Sequence, residues 1–245
     1  MTDIIKAMNI KAILMGEKGI RKFIMMIFGV LLIGLGVSVF TYSDLGVDPF
    51  TSMNMAISAK LGMSFGFYQM CINIVILAFV ALFAKRLISI GTVVNMICVG
   101  YICEFFTSVF SSFFPGQNTL AVRIILMLLG VAVLSLGASM YFTSDLGVAP
   151  YDATGFILDD KTKIDYKWCR VITDLVCAAV GFLFAGPVGI GTIVTAFMMG
   201  PVVSFFNKNV SKKLLNVKVR EPVMRFYNFK SIGGKIVAAN GRFVS

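Results

Sequence analysis

The side chains that could do chemistry are few, and most sit inside long apolar segments. Arg170 and Asp174 are four residues apart, so a helix would place them on one face, where they can pair and neutralise each other. Gln69 and Asn73 repeat the same spacing in an earlier segment, and Glu104 stands near the end of another. Asp44, Gly46, Asp48 and Pro49 belong to the phrase SDLGVDPF at 43–50, and Asp145, Gly147 and Pro150 to SDLGVAPY at 144–151, followed by Asp152. A guanidinium beside carboxylates, or a pair of amides, suits binding a solute or passing a proton. It does not suit covalent catalysis. The chain has no His, which removes the commonest acid–base group. It also lacks HExxH, Walker and GxSxG signatures. Cys71, Cys98, Cys103, Cys169 and Cys177 show no CxxC spacing and read as small core residues, not metal ligands. The expectation is no enzyme, no catalytic residue, no metal and no cofactor.

The elements that position these groups must be membrane helices. The chain of 245 residues is 58% hydrophobic and 14% charged, against roughly a quarter charged in soluble domains. Charge is absent from 23–43, 67–84, 87–103, 124–144 and 175–207. Apolar runs of about 18 or more residues read as spans. The first is too long for a signal core and has no small-residue cleavage site after it, so it reads as a retained span. Ionisable groups at membrane depth are costly, hence functional candidates. The alternative for Arg170 is that it snorkels to the inner interface with Asp174 as its partner.

Shifted by 101 residues, the chain matches itself. Met26, Gly29, Val30, Leu35, Gly36, Ser38, Ser43, Asp44, Leu45, Gly46, Val47 and Pro49 all recur between 123 and 150, and Gly91-Thr92, Gly100 and Phe105-Phe106 return as Gly191-Thr192, Gly200 and Phe205-Phe206. Shared hydrophobicity does not reproduce Gly, Asp, Thr and Pro in register, so the chain is an internal duplication. Each copy holds three spans, at 22–42, 67–84 and 88–110, then at 122–142, 167–185 and 188–206. The segments 49–61 and 150–160 are too short to cross. An odd number of spans per copy makes the second copy enter from the opposite side. The expected fold is all-α, with six transmembrane helices as two inverted three-helix repeats, each carrying a short broken-helix or amphipathic segment.

Basic residues set the orientation. Lys6, Lys11, Lys18, Arg21, Lys22, Lys85, Arg86, Lys161, Lys163 and Lys167 fall on one side with the basic tail, and only Lys60 and Arg123 on the other. The positive-inside rule then puts both termini in the cytoplasm of a multi-pass cell-membrane protein. The organisation is a cytoplasmic N-terminal segment 1–21, membrane repeats 22–110 and 122–206, and a basic cytoplasmic tail 207–245. A net charge of +10 concentrated at the ends fits anionic lipid headgroups and not nucleic acid. Alternation in Lys235–Ser245 around Asn240-Gly241 hints at a small hairpin, but the favoured reading is a mobile basic tail near the membrane surface.

Within SDLGVDPF, Gly46 suits a left-handed helix end, Asp48 an N-cap and Pro49 the first turn of a new helix. Phe50, Met53, Ile57 and Leu61 would share one face of that helix, lying in the interface or dipping back in. Two readings of the phrase stand. Asp44 and Asp145 cap helices in solvent, or they shape the mouths of a solute or ion path. Gly29, Gly34, Gly36 and Ser38, with Gly130, Ser135, Gly137 and Ser139, read as close-packing positions.

The residues Gly34-Leu35-Gly36, Asp44 to Phe50, Asp145 to Asp152, Gly189-Ile190-Gly191-Thr192 and Gly200-Pro201 resemble the YczE/YyaS/YitT-type bacterial integral membrane proteins, over roughly 20–206. Tyr151-Asp152 keeps that family's aromatic–Asp pattern after proline, and Phe50-Thr51 departs from it. The resemblance implies a multi-pass bacterial membrane protein and brings no substrate or catalytic residue with it. Taken together, the expectation is a transporter or exporter of a small solute. Asp44 and Asp145 would lie at its mouths, and Arg170, Asp174, Gln69 and Asn73 would bind solute or a coupling proton. The alternative is a non-transporting membrane scaffold or regulatory protein. The oligomeric state is left open.

Overall fold

A computed structural model describes residues 14–16, 18–113, 119–162, 164 and 166–215. Their regular elements are all helical. Helix α1 is Gly19–Tyr42, α2 Pro49–Leu61, α3 Phe65–Phe83, α4 Ile90–Phe113, α5 Leu120–Ser144, α6 Pro150–Lys161, α7 Tyr166–Leu183 and α8 Ile190–Phe206. Among the described residues five helices are long and apolar enough to cross a membrane: α1, α3, α4, α5, and α8 together with its extension to Leu215. Helix α7 falls outside that set because its 18 residues carry three charges, Lys167, Arg170 and Asp174. It nevertheless turns Trp168, Ile172, Leu175 and Val176 outward and buries Val171, Asp174 and Cys177. A helix with its apolar face out and its carboxylate in is inverted relative to a soluble protein.

The short helices begin where the phrase predicts. Asp48 caps α2 by accepting the Thr51 N–H at 3.1 Å, with Pro49 at the first position. Ala149 stands at the matching position of α6 and offers no side-chain cap. The surface-lying version of α2 is corrected. The helix buries Thr51, Ser52, Asn54 and Ser58 while Leu61 is exposed, because it sits inside the protein and its polar groups must face protein.

Helices α1 and α5 form the central pair. Gly29 lies against Tyr141, Gly36 against Leu134 and Phe40 against Gly130, so α5 runs backwards along α1. A Cβ on Gly36 would come within 2.4 Å of the Leu134 backbone nitrogen, which is why a small residue is needed there. Gly36→Ala is expected to cost about 1–3 kcal/mol by overpacking, read as a lower unfolding temperature of the purified protein in detergent. The rest of the bundle follows a crossed pattern. Helix α4 packs on α1 and α8 on α5, whereas α2 packs on α7 and α6 on α3. Each short helix therefore leans on the second long helix of the other sequence copy.

The expected boundary at 207 falls inside a continuous helical segment. A π-helical turn, Asn207–Ser211, follows α8 and leads into Lys212–Leu215. The wider turn accompanies contacts with α5: the Asn207 amide donates to the Thr143 hydroxyl at 2.7 Å, and the Ser211 and Ser139 hydroxyls are 2.7 Å apart. Leu215 packs with Met25 and Met140. The segment 235–245, for which a hairpin is the lesser alternative, the N-terminal Lys6 and Lys11, and most of the basic tail lie outside the described residues.

Candidate functional site

The repeated phrases do one job twice. After α1 the chain turns through Asp44 at φ 52° and Gly46 at φ 96°, and after α5 through Asp145 at φ 56° and Gly147 at φ 112°. The left-handed residue at the helix end is thus the aspartate as well as the expected glycine. Ser43 and Ser144 hydroxyls each close the turn on the carbonyl three residues back, at 2.6 Å. Each loop then docks on the other copy. The Gly191 N–H donates to the Leu45 carbonyl and the Gly91 N–H to the Leu146 carbonyl, both at 2.8 Å. The Val47 N–H donates to Pro187 and the Val148 N–H to Leu87.

Ion pairs repeat the pattern. Arg123 meets Asp44 at 2.8 Å and Lys22 meets Asp145 at 4.0 Å. The aspartates therefore sit at opposite ends of the α1–α5 pair. The Asp44 side chain is 87% exposed, so its pair is screened by solvent. Arg123→Ala is expected to cost less than about 1 kcal/mol from that pair. The loss should shrink further when the melt is repeated at high salt.

A second group of residues meets inside the bundle. The Phe50 and Tyr151 rings stack with centroids 4.1 Å apart and planes within 10°. The Tyr151 hydroxyl donates to Asp174 Oδ1 at 2.6 Å. Arg170 Nε donates to Asp174 Oδ2 at 3.4 Å, and Arg170 Nη1 pairs with Asp152. The Arg170 guanidinium also lies over the Tyr151 ring, 4.6 Å from its centroid. Side-chain exposure is 7% for Asp174, 18% for Asp152 and 22% for Arg170. Cys177, Met53, Ile72 and Ile76 pack around the aromatic pair. Asp48 lies within electrostatic reach of both Asp174 and Arg170.

The expected site residues thus divide. Arg170, Asp174 and Asp152 come together, with Asp48, Pro49 and Pro150 at the helix starts beside them. Gln69 and Asn73 are buried on α3, on the face that carries Ile72 and Ile76, and Gln69 Oε1 has no hydrogen-bond partner among the described residues. Glu104 lies apart, in the α3–α4 seam, where a Cβ on Gly66 would reach its carboxylate at 2.8 Å. Asp44, Gly46, Asp145 and Gly147 serve the cross-copy docking. Sequence reasoning passed over Tyr151 and Phe50 as site members. They occupy matching positions of the two sequence copies, but that they touch each other is visible only in the fold. No group of His, Cys, Asp and Glu able to hold a metal occurs among the described residues.

Known proteins place the chain. The model of a family of unknown function, DUF6198, matches residues 20–208. The uncharacterized membrane protein YczE of Bacillus subtilis is 27% identical over 204 residues, covering 80% of this chain and 93% of its own. The uncharacterized protein YyaS of the same organism is 25% identical over 195 residues, with 77% and 93% covered. An uncharacterized Haemophilus influenzae protein is 25% identical over 181 residues, with 74% and 81% covered. No solved structure matches. The chain is a membrane protein with several apolar helices long enough to cross.

Proposed function

We propose that this chain, which belongs to the family of unknown function DUF6198, is a cell-membrane transporter or exporter that moves a small solute past the junction of its two copies. In this reading the copies form an inverted repeat of six spans, with α7 as the sixth and both termini in the cytoplasm. The antiparallel α1–α5 pair, the matched loop contacts and the lipid-suited outer face of α7 support that arrangement. The relating axis would then run in the membrane plane, and Phe50 against Tyr151 would mark mid-depth.

The observation that carries the reading is the ionic cluster at that point. Asp152, Arg170 and Asp174 stand beside the starts of two short helices, with Gln69 and Asn73 on the opposite copy. Charged groups are expensive at membrane depth, and a purely structural bundle could use apolar residues there. Short helices starting at mid-depth also supply backbone N–H groups to a solute. The basic tail would rest on anionic headgroups at the cytoplasmic face.

The test begins with a thermal-shift panel of amino acids, organic acids, amines and sugars on the purified full chain, since a bound solute raises the unfolding temperature. A stabilising solute is then followed into proteoliposomes. The expected result is uptake in the wild type and at least about tenfold less in Asp174→Asn, the equivalent of roughly 1.4 kcal/mol. Unchanged uptake in a folded Asp174→Asn protein contradicts the site.

A further inference from the structure

Two buried amides in the first copy have unmet hydrogen bonds. Asn54 is fully buried on α2, and neither its Oδ1 nor its Nδ2 has a partner among the described residues. Gln69, buried on α3, has the same deficit at Oε1. The two stand at one level. Helix α2 packs on α3, and the link 62–64 joins them, so depth along each helix is counted from that turn. Asn54 lies ~12 Å along α2 from the turn, and Gln69 and Asn73 lie ~8 Å and ~14 Å along α3. Asn54 is one turn beyond Phe50 on the same face of α2. Phe50 in turn belongs to the apolar group that includes Ile72 and Ile76 of α3, and Ile72 is one turn beyond Gln69.

The fold does not need these amides. At the position matching Asn54, α6 buries Gly155. At the position matching Gln69 stands Arg170, whose guanidinium is paired with Asp152 and Asp174. A buried amide with unmet hydrogen bonds is costly, and an apolar residue of the same shape avoids the cost. Convergent polar groups in an apolar surround are instead what fixes a ligand.

We infer that Asn54 and Gln69 form the solute-recognition subsite of the junction, and that it takes an uncharged group able both to donate and to accept hydrogen bonds, a carboxamide or a vicinal diol. The chemistry selects that class. Asn54 offers two N–H donors and an acceptor, Gln69 Oε1 offers a second acceptor, and neither carries charge to balance an ion. The charges of the junction are engaged with one another. Arg170 holds Asp152 and Asp174, Tyr151 donates to Asp174, and Asp48 accepts the Thr51 N–H. An anionic solute would have to break the Arg170 pairs, and a cationic one would compete with Arg170 for the same carboxylates. A carboxamide needs neither, since its N–H groups suit the two amide oxygens and its oxygen suits the Asn54 N–H. That the bound group is the transported solute rests on the transport reading, whereas binding itself does not.

The test melts the full chain in detergent with millimolar solutes in matched neutral and charged forms. The pairs are lactamide against lactate, nicotinamide against nicotinate, erythritol against erythronate, and ethylene glycol against ethanolamine. A carboxamide or a diol is expected to give a saturable rise of ~3–6 °C at about ten times its half-saturating concentration. Its charged partner should need at least about tenfold more. The amide and diol arms of the panel tell the two sources apart. Asn54→Leu and Gln69→Met replace each amide by an apolar side chain of similar shape. Both should melt at or above the wild-type temperature without solute, and both should need about tenfold more of the neutral solute. Charged forms that bind as well as the neutral ones overturn the proposal, as does the lack of a saturable shift from every neutral member. Binding unchanged in folded Asn54→Leu and Gln69→Met also overturns it, and a lowered melting temperature beside unchanged binding assigns the amides to packing. Should one variant not fold, the other variant and the wild-type ranking of the pairs decide. Binding without uptake counts against transport and leaves the subsite standing. Uptake of a charged solute alone overturns the subsite and leaves transport standing.

Discussion

Replacing Arg170 with glutamine is expected to destabilise the protein by about 3–5 kcal/mol, because it leaves buried Asp174 and half-buried Asp152 without their shared cation. In a chain of this size that corresponds to a fall of roughly 6–20 °C in unfolding temperature. The penalty comes from the unpaired carboxylates and not from the missing guanidinium itself. It should therefore be undone by removing them as well. The triple substitution Arg170→Gln, Asp174→Asn and Asp152→Thr installs in the second copy the residues that the first already carries at 69, 73 and 51. That protein is expected to recover most of the stability and, on the transport reading proposed above, to lose solute uptake. Differential scanning fluorimetry of the two variants checks the first claim, and uptake by the triple variant checks the second. A triple variant as unstable as the single one would show that the loss lies in packing around Tyr151.

The second large effect is expected at the docking loops. Gly46 has φ 96°, and a Cβ there would lie 2.5 Å from the Gly189 backbone nitrogen and 2.8 Å from the Thr192 hydroxyl. Gly147 has φ 112°, and its Cβ would lie 2.5 Å from the Thr92 hydroxyl. Left-handed backbone costs an L-residue about 1–2 kcal/mol, and forced overlap adds about 1–3. Gly46→Ala and Gly147→Ala should each lose about 2–5 kcal/mol. Gly62 supplies the control. It ends α2 at φ 65° with nothing within 4 Å of its Cβ position, so Gly62→Ala should cost only about 1–2 kcal/mol. Equal losses at 46 and 62 would mean that the close approach between copies is not what demands glycine.

Local chemistry was legible in the chain, and contact between distant segments was not. The helices expected at 49–61 and 150–160 appear as Pro49–Leu61 and Pro150–Lys161, because proline acts within the first turn of both, with a capping aspartate at α2 alone. The Arg170–Asp174 pair follows from helical spacing alone. By contrast, nothing near Leu45 announces that its carbonyl will accept from Gly191. That bond depends on how the copies dock. Tyr151 was hidden because a tyrosine in an apolar stretch reads as bulk until a partner for its hydroxyl is known. The continuation of α8 was masked by Lys208, Lys212 and Lys213, which look like the end of a membrane segment. Asn207 and Ser211, four apart, already marked the face that turns inward to α5. The inward face of α2 was misjudged for a related reason. Periodicity ranks apolar residues as buried, whereas α2, enclosed by the other helices, hides Thr51, Ser52, Asn54 and Ser58.

If the two copies face opposite ways, as proposed, the ends of the two short helices lie on opposite sides of the membrane. Lys60 and Lys161 occupy matching positions at the ends of α2 and α6, and both are exposed. The measurement is labelling of Lys60→Cys and Lys161→Cys by a membrane-impermeant thiol reagent, in intact cells and after permeabilisation, with Cys71, Cys98, Cys103, Cys169 and Cys177 replaced. An inverted repeat predicts that Lys60→Cys is labelled in intact cells and Lys161→Cys only after permeabilisation. Labelling of both from the same side would contradict the inverted repeat, and with it the placing of Phe50, Tyr151 and the Asp152–Arg170–Asp174 cluster at mid-membrane.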